Sequence, residues 1–524
     1  MNDMQQSAVF AADWLVVLPV VMSLAAAALL VIGRGSRDLQ WGGALLAVAS
    51  VALVDLALLW RVLELGPVSM TMGNWLPPFG ISFTVDIVGA AFALTAAVVT
   101  LLLVVYIRLD LPERAREEGA YPLILLLLAG VSGSFLTGDL FNLYVQFELM
   151  LISSFGLMAL GGRQVHLDAT VKYGFLNFLA TAFFILALGL LYGLLGTLNM
   201  ADIIAAAAAA DPVPLAGIGA LLLLAFGMKA AAFPVNAWLP ASYHAPPPAI
   251  SALLAGLLTK VGVYALLRSL GMLLPATRDL LDPVIGLVAI GTLVIGPLGA
   301  IAETHLRRAL GFLLIGGIGA TLAGLALGNE AGLAGSIAYT LHAMLTITAL
   351  YMLAGLIEAM TGATDTRQMG GLYAAASLPS ILFFGLMLAV AGVPPFLGFW
   401  PKLLLVDGGM ARWDFGADPL ALCLWLAVLA NALLSLIAGA RLWSHIFWRP
   451  GHEGAASELP NADLKLLGRR ARWLGLAPTA LLALFVLVLG LVPEPLLGFA
   501  RDGARGLLDP SGYIAATGLP EVVR

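Results

Sequence analysis

Long apolar stretches separated by short polar loops repeat along almost the whole chain. Each stretch is close to the roughly 20 residues that a helix needs to cross the hydrocarbon core of a bilayer. The alternation of apolar and polar residues that is typical of membrane β-strands does not recur. The pattern therefore predicts an all-α polytopic membrane protein with about 14 transmembrane helices, at residues 13–33, 39–62, 82–106, 120–137, 139–161, 169–198, 214–239, 247–270, 280–302, 308–328, 333–359, 377–406, 417–447 and 472–499.

The amino-acid composition also indicates a membrane protein, and it excludes several classes of function. Of the 524 residues, 61% are hydrophobic and 11% are charged. In a soluble domain roughly half of the residues are hydrophobic and roughly a quarter are charged. Soluble enzymes, disordered scaffolds and nucleic-acid binders are thereby excluded, and a net charge of -5 offers no basic surface to phosphates. The single cysteine, Cys423, excludes a disulfide framework or a cysteine metal cluster. We also expect neither a metal site nor a cofactor.

The distribution of Lys and Arg predicts which side of the membrane each loop faces. Loops and helix ends after odd-numbered spans hold 16 basic residues, and those after even-numbered spans, with the C-terminal tail, hold 7. Cytoplasmic loops carry the excess of Lys and Arg in membrane proteins, so we expect the odd-numbered loops in the cytoplasm and both termini outside. The acidic N-terminal segment lacks Lys and Arg, and the first span is therefore expected to remain in the mature protein.

Four ionisable residues lie deep inside predicted spans, where a charge at the bilayer centre costs about 2.5–3.5 kcal/mol. They are Glu148, Lys229, Lys260 and Lys402. Such residues usually face the interior of a helix bundle and mark ion or proton paths. Burial favours the neutral form of these groups and pairing favours the charged form, so a chain of them can exchange protons near neutral pH. We predict proton transfer through these four residues; charge pairing that only fixes helix packing is the alternative.

Three other polar residues are weaker candidates for a proton relay or for proton entry. His342 lies inside the eleventh span, where an imidazole suits a relay and a hydrogen-bonded core histidine fits as well. His244 stands at a helix boundary before APPPAI, where cytoplasmic water could reach it. Asp139 precedes the fifth span, where we expect it to cap the helix and where a relay role is the alternative.

Two predicted spans contain prolines close to a buried lysine. Pro234 follows Lys229 by five residues, and Pro394 and Pro395 precede Lys402. Proline inside a helix frees carbonyls and breaks the helix, and such breaks are tolerated at membrane depth where they line a polar cavity. The first break falls in span 7, which is the fourth of spans 4–8. The second break falls in span 12, which is the fourth of spans 9–13. Breaks at corresponding places in two halves point to an inverted repeat and its transport site.

Three segments resemble the proton-translocating family shared by complex I membrane-arm subunits and Mrp-type sodium/proton antiporters. They are GDLFNLYVQFELMLISSFGL, KAAAFPVNAWLPASYHAPPPAISALLAGLLTKVGVYAL and GVPPFLGFWPKLLLV. The resemblance extends over nearly the whole chain, and the D subunits of Mrp antiporters are the best match, particularly at GDLFNLYV and the FE and LISS that follow it.

The resemblance implies two inverted five-helix repeats and a role for each buried charge. It implies that Glu148 pairs with Lys229, that Lys260 links the two half-channels, and that Lys402 is the terminal charge of the second half. It also implies a transporter subunit rather than an enzyme, with Na⁺ and H⁺ as transported ions, other Mrp subunits as partners and the cell membrane as location. We expect peripheral helices at 1–119, a first repeat at 120–270, a second repeat at 271–447, and a cytoplasmic loop, last helix and tail at 448–524.

Two other functions remain possible on the residues alone. A complex I membrane-arm subunit, driven by quinone reduction, would share the chain of buried charges. A structural membrane scaffold would use the same charges only for assembly. The sequence contains no GxxxxGK[ST], HExxH or CxxC motif, which disfavours an ATPase, a zinc enzyme and a redox-centre protein.

Overall fold

The computed structural model describes residues 11–75, 80–160, 162–413, 418–449 and 464–519; the two chain ends, for which an exterior location is predicted, and most of the predicted loop after residue 447 lie outside these ranges. The helices are α1 Leu18–Ile32, α2 Arg37–Leu65, α3 Ile87–Asp110, α4 Glu113–Glu117, α5 Ala120–Leu136, α6 Leu140–Ala159, α7 Gln164–Leu195, α8 Met200–Ala209, α9 Pro212–Ala230, α10 Trp238–Ser242, α11 Pro248–Leu266, α12 Pro275–Ala302, α13 Leu306–Leu327, α14 Glu330–Thr361, α15 Leu372–Ala375, α16 Ser377–Ala391, α17 Phe399–Trp413, α18 Pro419–Trp443, α19 Arg469–Ala471, α20 Ala477–Leu491, α21 Glu494–Leu508 and α22 Ser511–Ala516. Wider helical turns prolong α11 through Leu267–Leu273 and α18 through Ser444–Trp448, and another, Arg472–Leu476, joins α19 to α20.

The structure has a helix, or two helices around a break, at every predicted span. Within the described ranges, eleven helices have the length and apolar character needed to cross a membrane. These findings confirm an all-α polytopic membrane protein. The number of fourteen crossings stays a prediction, because several of the remaining helices are shorter than a bilayer crossing requires.

One predicted helix start is wrong. Residues 82–106 were predicted as one helix, but Ser82–Val85 is a strand, β2, that pairs antiparallel with β1, Val68–Thr71. The helix α3 begins only at Ile87, because the Asp86 side chain accepts a hydrogen bond from Gly89 N and caps it. A short apolar run before a helix does not reveal from periodicity alone whether it is strand or helix.

Both predicted helix breaks are present in the structure. The first lies between α9 and α10, where Ala231 has a φ of 62°, and the second between α16 and α17, where Gly392 has a φ of 86°. Each break contains a cis X-Pro peptide bond, at Phe233–Pro234 and at Pro394–Pro395. The backbone therefore leaves the helical path beside Lys229 and just before Lys402.

The helices differ strongly in how far they are buried. Nearly every residue of α11, α13 and α14 is buried, so these three form the centre of the bundle. The apolar helices α2 and α7 leave much of their surface exposed. Since a helix that is apolar all round needs either a protein or a lipid neighbour, the outer helices face the bilayer or partner proteins.

Short elements cover one end of the bundle, which we call the hairpin end. It comprises β1, β2, α21 and α22, and α22 contacts both strands. The helix α21 is amphipathic and packs closely; a Cβ at Gly503 would lie 2.7 Å from Val88 Cγ2. The opposite end, which we call the arginine-rich end, carries Arg307 and Arg308 at the start of α13. The hairpin and the two terminal helices were not predicted.

Candidate proton-transfer site

Lys229 occupies the last turn of α9, beside the first helix break, and is 5% exposed. Its Nζ donates to Thr181 Oγ1 on α7 at 2.9 Å and lies 4.8 Å from the ring centre of Phe147 on α6. A hydroxyl and an aromatic face both stabilise a buried ammonium without neutralising it. A small cavity, lined also by Tyr173 and Asn177, adjoins the amine.

Glu148 does not touch Lys229. No ion pair of Glu148 within 4.0 Å exists in the described part of the chain, and its buried Oε1 has no hydrogen-bond partner there. The ring of the preceding residue, Phe147, lies against the amine instead, and Glu148 shares a face of α6 with the exposed Val145 and Ile152. The direct pair implied by the resemblance is therefore absent, although the charge of Glu148 still acts on Lys229.

Lys260 lies in the middle of α11 and is 3% exposed. Its Nζ donates to Ala255 O at 2.5 Å, one of three bonds that an ammonium can donate. Two residues on, Gly262 packs so closely against α9 that a Cβ there would lie 2.9 Å from Ala230 N, next to Lys229. Helices α9 and α11 are therefore in close contact near both lysines, although residues two apart on a helix do not share a face. We call Lys229, Lys260, His342 and Lys402 together the lysine row.

His342 on α14 connects the centre of the bundle to the second helix break. The charges of Lys402 and Lys260 both act on this histidine. Its Nδ1 bonds to Thr346 Oγ1 at 3.0 Å, and a Cβ at Gly398, in the break, would lie 2.9 Å from its Nε2. The structure thus places His342, a weak candidate from sequence, between two of the predicted lysines.

Lys402 lies on α17 directly after the second break and is 6% exposed. Its Nζ donates to Val390 O and Ala391 O, both at 3.0 Å, and to Asn431 Oδ1 at 3.1 Å. The two carbonyls belong to the last turn of α16, which the break leaves without helical partners. Lys402 therefore has three neutral acceptors and, within the described ranges, no carboxylate partner.

His244 lies away from this row, at the arginine-rich end. Its Nδ1 donates to Pro240 O at 3.0 Å, and its ring centre is 5.2 Å from that of His305. Burial lowers the pKa of His244, and burial together with the nearby Arg307 lowers the pKa of His305 to about 4. Both imidazoles are therefore neutral at neutral pH. The sequence did not single out His305, since only the tertiary fold brings it to His244.

Asp139 caps α6, which is the role expected from its position. Its Oδ1 accepts a hydrogen bond from Asn142 N at 2.8 Å. The carboxylate is 7% exposed and is not part of the lysine row.

Sequence reasoning missed several buried charges. Arg268, one of the seven basic residues counted in loops and helix ends after even-numbered spans, is 1% exposed in the helical turns after α11 and pairs with Asp86. Arg307 pairs with Glu358 at 2.9 Å. The spacing of Arg268, eight residues after Lys260 on one helix, was the available signal for its burial. Only the fold reveals that Asp86 comes from a distant helix start.

The chain is similar to known proteins over almost its whole length. The family described as "NADH:quinone oxidoreductase/Mrp antiporter, TM" matches residues 137–426. The chain is 36% identical to the D subunit of a Na⁺/H⁺ antiporter of Bacillus subtilis, over 96% of this chain and 98% of that one. It is 32% identical to the protein of the same name from Alkalihalophilus pseudofirmus, over 95% and 98% of the two chains.

Solved structures show the same fold. A chain of the Mrp complex from a Dietzia species superposes with a TM-score of 0.87 at 29% identity, covering 97% of this chain and 100% of that one. A chain of respiratory complex I from Thermus thermophilus superposes with a TM-score of 0.78 at 24% identity, covering 94% and 99%. From the family match and the near full-length relatives, the chain belongs to the family of NADH:quinone oxidoreductase and Mrp antiporter membrane subunits.

Proposed function

We propose that the chain is the D-type subunit of a multi-subunit Na⁺/H⁺ antiporter and that it carries protons within that complex. The observation that supports this function best is the burial of four titratable groups, Lys229, Lys260, His342 and Lys402, with Lys229 beside the first helix break and Lys402 beside the second. Near full-length similarity to proteins named as D subunits of Na⁺/H⁺ antiporters favours antiport. The likeness to the complex I chain concerns the fold alone.

Within this function the row has a direction. We infer that protons enter from the arginine-rich end, with His244 at the entrance, and pass along the row to Lys402, the terminal charge. Glu148 would control the charge of Lys229 through space rather than through a direct bond. Asp139 would stabilise the start of α6 and take no part in transfer.

The proposed architecture has two inverted repeats, helices 4–8 and 9–13 of the predicted fourteen. The support is the matching position of the two breaks, each followed or preceded within a few residues by a buried lysine. The peripheral segment 1–119 and the last segment 448–524 would flank the repeats, which occupy 120–270 and 271–447.

Location and partners follow from the same assignment. We place the protein in the cell membrane with the arginine-rich end in the cytoplasm and both termini outside. The reason is that loops rich in Lys and Arg stay on the cytoplasmic side. The other Mrp subunits and lipid would cover the exposed apolar faces of α2 and α7. Na⁺ and H⁺ are the transported ions.

The function is tested in everted membrane vesicles that contain the whole complex. Lys260→Ala should abolish Na⁺-driven proton movement, because no other titratable side chain of the described residues occupies its position in the row. Lys172→Ala, an exposed lysine on α7 with 52% side-chain exposure, is the matched control and should exchange normally.

Two outcomes would contradict the proposal. One is full exchange by the Lys260→Ala complex at normal protein levels. The other is co-purification of the chain with NADH-oxidising subunits instead of antiporter subunits, which would favour the complex I alternative.

A further inference from the structure

We propose that Arg268, Asp86 and Tyr513 form a fixed electrostatic plug between Lys260 and the hairpin end, so that protons on Lys260 can move only sideways along the lysine row. We call these three residues the Arg268 plug. The inference rests on the proposed function and deepens it, because it assigns residues that prevent a proton leak.

Arg268, the charge at the centre of the plug, lies on the same helix as Lys260. Lys260, Tyr264 and Arg268 recur every four residues along α11 and its prolongation, so Arg268 lies two turns, or about 12 Å, further toward the hairpin end. Tyr264 bridges this distance: its Oη donates to Phe135 O at 2.8 Å and accepts from Arg268 Nε at 2.9 Å. The direct route from Lys260 to the hairpin end therefore passes Arg268.

Arg268 is held as a permanent cation. It is 1% exposed, forms an ion pair with Asp86, and its Nη1 lies 3.2 Å from Met272 Sδ. A guanidinium keeps its proton under all physiological conditions, so it cannot join a relay of lysines. Asp86 offsets much of this charge at long range, but the guanidinium Nε faces Tyr264 and hence the Lys260 side. A proton or metal cation that approaches along α11 therefore meets the positive part of the pair first and is repelled.

Tyr513 closes the plug from the hairpin side. This tyrosine of α22 is 4% exposed, and its ring centre lies 5.5 Å from the guanidinium carbon of Arg268. Its hydroxyl lies near Thr84 of β2 and 3.7 Å from Met200 Sδ at the start of α8. The C-terminal helix, the hairpin and α8 thus fix one aromatic ring over the buried arginine.

Aromatic rings also fill the space between Lys260 and Arg268. Phe92, Phe135 and Tyr264 form a triangle with ring centres 5.1 to 5.9 Å apart. Packed rings leave little room for a water chain. Without such a barrier Lys260 would exchange protons with the hairpin-end solution, and the proton gradient would dissipate without Na⁺ transport.

The test measures passive proton entry into liposomes that contain the purified whole complex. A K⁺ diffusion potential, negative inside, drives protons inward in the absence of Na⁺, and an internal pH dye reports them. Tyr513→Ala should raise the proton leak about tenfold, which corresponds to a barrier lowered by about 1.4 kcal/mol. Tyr513→Phe keeps the ring, and its proton leak should equal that of the wild type. The control is Tyr192→Ala, at a position on α7 where the tyrosine is 58% exposed, and its leak should also be unchanged.

The route of the leak is tested by combining substitutions. In the Tyr513→Ala/Lys260→Ala complex the leak should return to the wild-type level, because Lys260 is the inner end of the route. If Tyr513→Ala prevents assembly, the pair Asp86→Asn/Arg268→Gln removes both charges, keeps polar side chains at both positions, and should leak as well.

Three results would overturn the plug. They are an assembled Tyr513→Ala complex as tight as wild type, a charge-free pair as tight as wild type, and a leak that persists without Lys260. Na⁺-driven exchange by the wild-type complex is measured in the same liposomes. If the wild type fails to exchange, the proposed function fails, whereas the leak of the variants reports on the plug alone.

Discussion

The three buried lysines meet different partners, and these partners decide what a substitution removes. Lys229 has a hydroxyl and an aromatic ring, Lys260 has one carbonyl, and Lys402 has two carbonyls and an amide oxygen. An unpaired carbonyl left behind by a substitution costs about 1–3 kcal/mol. Replacing Lys402 should therefore cost more stability than replacing Lys260.

Lys260→Arg separates the need for a positive charge from the need for a transferable proton. Arginine stays protonated under all relevant conditions, so the variant keeps the charge and cannot pass the proton on. We expect an assembled complex whose Na⁺-driven exchange in everted vesicles is as low as that of Lys260→Ala. Normal exchange by the Arg variant would show that position 260 needs only a charge.

Glu148→Gln keeps the shape of the side chain and removes its charge. Because Glu148 does not contact Lys229 in the described structure, the substitution breaks no hydrogen bond there, and the complex should assemble. Exchange should fall by about tenfold, which corresponds to a barrier raised by about 1.4 kcal/mol, because Lys229 loses the charge that acts on it through space. Glu64→Gln, an exposed residue of α2, is the control; an equal loss in both variants would contradict a specific role for Glu148.

The depth of these charges could be predicted from sequence, but their neighbours could not. Depth follows from the number of residues between a charge and the nearest span end, which can be counted directly for Glu148 and Lys260. Neighbours depend on how each helix is rotated. If α6 turned about its axis by one residue position, Glu148 instead of Phe147 would face Lys229. The burial of Arg268, in turn, depends on Asp86 from a distant helix.

At the scale of elements, the second helix break combines a transport residue with a structural one. Lys402→Ala should leave the carbonyls of Val390 and Ala391 without their donor and lower the melting temperature of the complex. Lys402→Arg supplies new donors and should recover most of that stability, yet it should not restore exchange, because arginine cannot release its proton. Exchange restored by Arg would mean that Lys402 only stabilises α16 and α17. Wild-type exchange in the Ala variant would rule out a terminal proton site.

The same break depends on a residue without a side chain. A Cβ at Gly398 would overlap Ala389 O, so Gly398→Ala must displace the backbone. We expect a loss of about 1–3 kcal/mol in stability, typical of overpacking, together with reduced exchange, since His342 Nε2 faces the same spot. Gly498→Ala, on α21 with open space around it, should be harmless. Equal melting temperatures for the two variants would show that the break is not tightly packed.

Whole elements were predictable to different degrees for a physical reason. The long apolar helices and the two proline breaks follow from hydropathy and from proline itself. The strand β2 and the amphipathic α21 lie where the chain leaves the membrane, and there hydropathy no longer constrains the backbone. Their positions are set by packing on the hairpin end, for example by Gly503 against Val88.

At the scale of the whole molecule, every proposed direction of proton movement depends on which end faces the cytoplasm. The arginine-rich end is predicted to be cytoplasmic, and the test uses single cysteines in a chain whose only cysteine, the exposed Cys423, is replaced by serine. Gly35→Cys, in the exposed turn between α1 and α2, marks the arginine-rich end, and Gly512→Cys, on α22, marks the hairpin end. A Cβ at either glycine would meet no backbone or side-chain atom closer than about 4 Å, so both substitutions should be tolerated.

A membrane-impermeant maleimide added to intact cells should label the Gly512→Cys variant and spare the Gly35→Cys variant, and everted vesicles should give the reverse. The reverse pattern in intact cells would invert the orientation, move His244 to the exterior, and make the Arg268 plug a barrier on the cytoplasmic side.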